Sequence, residues 1–149
     1  KGGCTNCDPC HGRNPAAVAR SWQGKKPYSG VDSYTNVVVK KNTVFYTLYP
    51  HGDAPGNYLV KSGVVLGARS ARKYNDSVQV AHKENWKHPD ARPMRTKVHG
   101  YTLTKDTCMA ISIAKNNPHL GAGGATQYFI ENRDKPNLTD TGRIITFRN

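Results

Sequence analysis

Short β-prone stretches, broken every few residues by Gly, Pro, Asn or Lys, constrain this chain more than any other feature. Residues 36–39, 43–49, 57–60, 64–66, 97–103, 108–113, 127–131 and 144–147 each read as a strand. Lys40-Lys41-Asn42 reads as the hairpin turn between the first pair, and Lys61-Ser62-Gly63 as the turn between the next. Residues 50–56 are a loop, punctuated by Pro, Gly and Asp. Helix signals are fewer. Residues 15–22 have Asn14 as N-cap and Pro15 at the first helical position. Asp76-Ser77-Val78-Gln79 reads as a capping box opening a helix through Trp86, with Tyr74, Val78, Ala81 and Trp86 on one side. His88-Pro89 would end it. The balance predicts an α+β fold: two small, mostly antiparallel sheets forming a cleft, with few helices.

The 149 residues suit one domain with a real core. Residues 1–36 are rich in Gly, Pro, Asn and Ser, and we read them as a loop-rich segment peripheral to a domain at 37–149. No apolar run approaches the ~20 residues a membrane-spanning helix needs, so no membrane span is expected. The first residue is Lys, as expected of a mature fragment or a domain excised from a longer carrier.

Charge narrows the partners. Lys and Arg total 22 against 10 acids, a net +12, and the pI is near 9.8. Such a field attracts polyanions: nucleic acid, an anionic membrane face, a phosphate-rich small molecule or an acidic protein. The acids are scarce enough to matter singly. Glu84 and Glu131 are the only glutamates, so a glutamate base must be one of them.

Cys4, Cys7, Cys10 and His11 pack four soft ligands into eight residues. A structural zinc site is one reading. Disulfides within the cluster, or from it to Cys108, are an equal one in an oxidising compartment. Cys7–His11 also matches a haem-attachment pattern, with Met94 or Met109 as axial ligand, but a strand-rich chain suits that poorly.

Gly121-Ala122-Gly123-Gly124-Ala125 runs straight into Thr126-Gln127-Tyr128-Phe129-Ile130-Glu131. Glycines here strip away side chains that would hold a ligand off the backbone, and they permit positive φ. Strand alternation places Gln127, Phe129 and Glu131 on one face. An amide at the mouth of a strand, beside an open loop, suits a polar small molecule. The same residues also suit an ordinary hairpin turn. Arg69-Ser70-Ala71-Arg72-Lys73 could set guanidinium forks on a pyrophosphate or form a solvated basic turn. His51, His99 and His119, with nearby cations, would suit a metal-independent ribonuclease. No histidine pair has metal-ligand spacing, so no catalytic metal is expected.

Taken together, the strand at Thr43–Tyr49, Ala54-Pro55-Gly56-Asn57-Tyr58-Leu59-Val60 and Gly123-Gly124-Ala125-Thr126-Gln127-Tyr128-Phe129 resemble the ADP-ribosyltransferase superfamily. The closer likeness is to its NAD-cleaving toxin domains of the tuberculosis necrotising toxin type, over roughly residues 43–131. In such domains a Gly-Gly-x-x-Gln-Tyr-like motif enters a strand and supplies glutamine where transferases usually carry glutamate. The resemblance implies that residues 37–149 form a catalytic domain that breaks the nicotinamide–ribose bond of NAD+ as substrate. Gln127 would hold the ribose, with Tyr46 and Tyr58 as further catalytic candidates. Thr47, Gly123, Gly124, Arg69 and Arg72 would bind the cofactor-like substrate. Such toxins commonly carry an arginine or histidine in the first core strand, where this chain has Tyr46 or Thr47. The phosphates would then fall to Arg69 or Arg72. Glu131 lies ~13 Å beyond Gln127 along the strand, too far to share its contact. ADP-ribose would pass to water, or to RNA or an acidic protein. A domain of this kind is expected to be secreted or delivered by a larger carrier, to act in the target-cell cytoplasm, and to be silenced by an acidic immunity protein.

Overall fold

Pro15 opens a short helix because its missing N–H is one of the amides a helix start leaves unbonded. Asn14 caps it, its side chain accepting from the Ala17 amide, and α1 runs Pro15–Ser21. The computed structural model describes residues 10, 12–49 and 55–147. Cys4, Cys7, His11, His51 and Ala54 lie outside the described residues.

The strands are β1 (Thr35–Val39), β2 (Val44–Tyr49), β3 (Tyr58–Leu59), β4 (Lys97–Leu103), β5 (Thr107–Ile113), β6 (Thr126–Phe129) and β7 (Leu138–Thr146). Helices α2 (Ser62–Gly67) and α3 (Ala71–Val78) lie between β3 and β4. One antiparallel sheet has the order β1-β5-β6-β3 and the other β2-β4-β7. Val60 stitches them together. It exchanges backbone hydrogen bonds of 2.8 and 2.9 Å with Tyr46 of β2, one residue after β3 has paired with β6. Phe45, Leu59, Leu103, Met109 and Ile130 are buried between the sheets. Each contributes on the order of 1.5–3 kcal/mol over an exposed position. A second core packs Val65, Tyr74 and Val78 of the helices on Leu48 and Val98 of the other sheet.

The structure corrects several expectations. Residues 40–42 form a turn, Thr43 N–H donating to Lys40 C=O at 3.3 Å, but no hairpin. β1 pairs with β5 and β2 with β4, because Val39 and Phe45 enter the inter-sheet core from different sheets. Residues 64–66 lie in α2 and not in a strand, since burial of Val65 against the second core outweighs β-branched propensity. Helix α3 starts earlier than the capping box implies. Ser70 is its N-cap, and Gln79, at φ +55°, ends it in the left-handed region. Asp76 and Ser77 therefore sit in its last turn, and His82–Trp86 is a separate turn closed by Asn85.

Of the first 36 residues, Cys10 and 12–36 are described, and several of these are tied to the strands. Cys10 is disulfide-bonded to Cys108 of β5, 98 residues away, so Cys10 offers no thiolate to zinc or haem. Closing a loop of that length contributes up to about 4–5 kcal/mol. Arg13 donates to Glu131 at 2.8 Å and to both oxygens of Asp134, fastening the segment beside β6. Those contacts raise the pKa of the Arg13 guanidinium, chiefly through Asp134.

Candidate functional site

Strand alternation in β6 turns Gln127 and Phe129 to one side. Phe129 is sealed under α1 by the edge of Trp22 and by Tyr58, at ring separations of 5.1 and 5.3 Å. Gln127, two residues earlier, lies where the strand leaves that cover, and its side chain lines a cleft of connecting chambers. The first chamber, about 190 Å³, is walled mainly by Trp22, Tyr28, Tyr58, Val78 and Val80. The second, about 150 Å³, adds Thr47, Asn57, Tyr74 and Arg95. The third, about 360 Å³, continues past Tyr28, Val80 and Arg95 to Asn75, His82, Trp86, Asp90 and Arg92.

The polar groups of the first chamber fall into two kinds. Asp32 accepts from the Lys115 and Asn116 amides at 3.1 Å each, and from Gln23 Nε2 at 3.3 Å. Gln79 accepts from the Asn117 amide at 3.0 Å and donates to Gly121 C=O at 3.0 Å. The Asn117 side chain accepts from the Gly30 amide at 2.8 Å. These three groups hold the loops in place. The Gln127 side-chain amide, by contrast, has no hydrogen-bond partner among the described residues. Tyr58 stands beside it in both chambers, its phenol pushed up to about 12 by burial and therefore neutral. The Tyr34 hydroxyl lies against it.

The structure thus brings Gln127, Tyr58 and Thr47 together and separates them from the other candidates. Tyr46 is 3% exposed in the second core, its ring against Gly100, and lines none of these chambers. Arg69 is exposed between α2 and α3, and Arg72 points outward from α3 into a salt bridge with Glu84. Arg95, by contrast, does line the cleft. Burial lowers the pKa of its guanidinium from the ordinary value, and it lines the second and third chambers. Sequence reasoning missed it. The only signal was a second arginine in Arg92-Pro93-Met94-Arg95, just ahead of β4.

The glycine loop also differs from expectation. Gly123 N–H donates to Asp76 C=O at 2.9 Å, and Gly124 N–H to Ala114 C=O at 2.7 Å. Those amides are therefore not available to a phosphate. A Cβ on Gly123, at φ +73°, would sit 2.2 Å from Ala114 O, so glycine is required here by packing against the backbone just after β5. Both glutamates lie outside the cleft as well: Glu84 pairs with Arg72 and Glu131 with Arg13. Of the histidines of the ribonuclease reading, the two described ones line none of these chambers. His99 meets Asp140 at 2.5 Å on the second sheet, and His119 donates to Pro27 C=O at 2.7 Å.

The profile of the Rhs1 C-terminal toxin domain family matches residues 11–132. Among solved structures, the chain is similar to Rhs1-CT in complex with its cognate immunity protein RhsI1, with a TM-score of 0.79 and 26% identity. That match covers 92% of this chain and 98% of the other. It shares its fold with Tne2, solved in complex with Tni2, at TM-score 0.58 and 12% identity over 78% of this chain and 94% of that one. Tse6, in complex with Tsi6, gives TM-score 0.51 and 12% identity over 87% and 92%. No curated protein sequence matches the chain. Among the described residues, no helix is long and apolar enough to cross a membrane.

Proposed function

The chain belongs to the Rhs1 C-terminal toxin domain family, and from that premise and the chemistry of the cleft we propose that it is an NAD+ glycohydrolase. The supporting observation is the Gln127 amide, unpartnered where the first two chambers join. The first chamber is apolar enough to accept a nicotinamide ring. Gln127 then bonds the hydroxyls of the attached ribose, while Tyr58 supplies a neutral phenol beside it. Arg95 in the second chamber faces the pyrophosphate.

In the reaction the bond between ribose C1′ and the nicotinamide nitrogen breaks. Its electron pair leaves with the ring, which becomes neutral nicotinamide. Positive charge develops on the ribose, water adds to C1′, and the proton goes to solvent. The protein's part is to hold the ribose strained and keep the amide fixed on it through the transition state. Water is the acceptor in this reading, because an amide cannot take a proton from a protein or RNA nucleophile as a glutamate would.

As a toxin domain of this family it would be carried by a larger protein and act where NAD+ is abundant, in the cytoplasm of a target cell. A cognate immunity protein of acidic surface would cover the cleft, its encounter speeded by the +12 charge. The test is incubation with NAD+ alone, following free nicotinamide. Rapid release by the wild type, and loss of it in Gln127→Ala, support the reading. Release only when protein or RNA is added makes the domain a transferase, and RNA degradation without NAD+ makes it a ribonuclease.

A further inference from the structure

Asn57 stands one residue ahead of β3 and lines the second chamber with Tyr58, Arg95 and Gln127. It is 9% exposed, and both hydrogens of its side-chain amide are already spent. Nδ2 donates to Ile130 C=O at 2.7 Å and to Asn132 Oδ1 at 2.9 Å, and the Asn57 C=O accepts from the Ile130 amide at 2.9 Å. A backbone carbonyl only accepts, so the atom facing Ile130 is the nitrogen, and the amide cannot turn over without losing both bonds. Oδ1 is what remains, without a partner among the described residues. Asn75 shows why that alone is not enough. Its Nδ2 is also spent on two carbonyls, but its unpartnered Oδ1 is sealed off. Asn57 Oδ1 keeps accessible surface.

The second chamber therefore offers three kinds of polar group. Arg95 only donates, which suits a phosphate oxygen. Gln127 can donate or accept. Asn57 Oδ1 only accepts, so it repels a phosphate oxygen and takes a hydroxyl. We infer that Asn57 is a sugar-reading residue, its Oδ1 accepting from a hydroxyl of the ribose that carries the nicotinamide, a role that rests on the NAD+ reading above. That ribose is the one concerned because Tyr58 and Gln127, which share the second chamber with Asn57, also line the first, whereas Asn57 does not line the third. Gln127 then holds the sugar from β6 and Asn57 from the segment ahead of β3. Because Asn57 is fixed before any ligand arrives, the contact costs little ordering.

ADP-ribose and ADP share every group except that sugar, so the ratio of their affinities isolates it. The experiment is calorimetric binding of both to the intact domain, with nicotinamide release from NAD+ measured separately. ADP-ribose should bind at least ~10-fold tighter than ADP to the wild type. Asn57→Ala should lower that ratio about fivefold, and Asn57→Asp, which keeps an oxygen toward the chamber, should restore it. Both variants lose the bonds to Ile130 and Asn132, so damage to the fold is common to them and weakens both ligands alike. An unchanged ratio in Asn57→Ala, or equal binding of the two ligands by the wild type, overturns the inference. If the variants do not fold, a crystal structure of the wild type with ADP-ribose decides: a ribose hydroxyl either lies within hydrogen-bond reach of Asn57 Oδ1 or the inference falls. Nicotinamide release without preference for ADP-ribose removes this role and leaves the NAD+ reading standing. Preference for ADP-ribose without nicotinamide release does the reverse.

Discussion

Asp32 and Gln127 face the same chamber and are opposite in kind. Asp32 is 4% exposed and bonded to two loop amides and a glutamine, a carboxylate whose charge is already met. Gln127 is half-buried, neutral, and without a protein partner among the described residues. The Asp32 group, with Gln79 and Asn117, shapes the chamber; the Gln127 group is left for whatever enters it. Polarity in a cavity therefore does not identify a working residue. What identifies one is hydrogen-bonding capacity that the fold leaves unused where a ligand can reach it, as at half-buried Gln127.

Substitutions should divide along that line. Gln127→Ala is expected to lower nicotinamide release by ~10²-fold or more while the melting temperature stays near that of the wild type, as read by calorimetry beside a turnover assay. A large stability loss would place Gln127 with the shaping group instead. Asp32→Ala should do the opposite first. It strips the acceptor from the Lys115 and Asn116 amides, and chemical denaturation should show a loss of about 2–3 kcal/mol.

The arginines sharpen the contrast further out along the cleft. Arg95→Gln should raise the KM for NAD+ by ~10-fold, as expected for a half-buried cation facing a pyrophosphate. Arg72→Ala, which breaks only an exposed pair with Glu84, should leave KM within about twofold. Comparable effects from both would mean that the pyrophosphate lies over the outer face of α3.

The smallest effect concerns pH. Burial lowers the pKa of His82 in the folded chain, so the unfolded chain binds the proton more readily. The stability this histidine contributes is then complete above its unfolded pKa of about 6.5 and declines as pH falls toward the folded value. Denaturation curves collected across that window should show the decline, and His82→Gln should flatten it. A rise in stability on acidification would mean that the ring gains an acidic partner when folded.

Elements whose cause lies within a few residues were legible in advance. The cap at Asn14, the strand from Lys97 to Leu103 and the placing of Gln127 beside Phe129 follow from local spacing, and the structure has all of them. The basic surface follows from composition, and pairing of the cysteine cluster with Cys108 was among its open alternatives. The division into sheets was not legible. Residues 36–39 and 43–49 look like a hairpin because nothing between them records that Val39 and Phe45 meet Thr107 of β5 and Tyr101 of β4, far along the chain.

What the sequence determined by itself is the set of pieces: an α+β chain of short strands, strongly basic, with an amide at the start of a late strand. Tertiary structure alone decided which polar groups would be satisfied. It consumed the Gly123 and Gly124 amides against Asp76 and Ala114, buried Tyr46, and turned Arg72 outward toward Glu84. It also brought residues 22–32 over the cleft, beside Arg95, Asn75 and His82. The physical reason is that propensity and alternation act over a few residues, whereas a hydrogen bond is completed or left open by whichever distant segment arrives beside it.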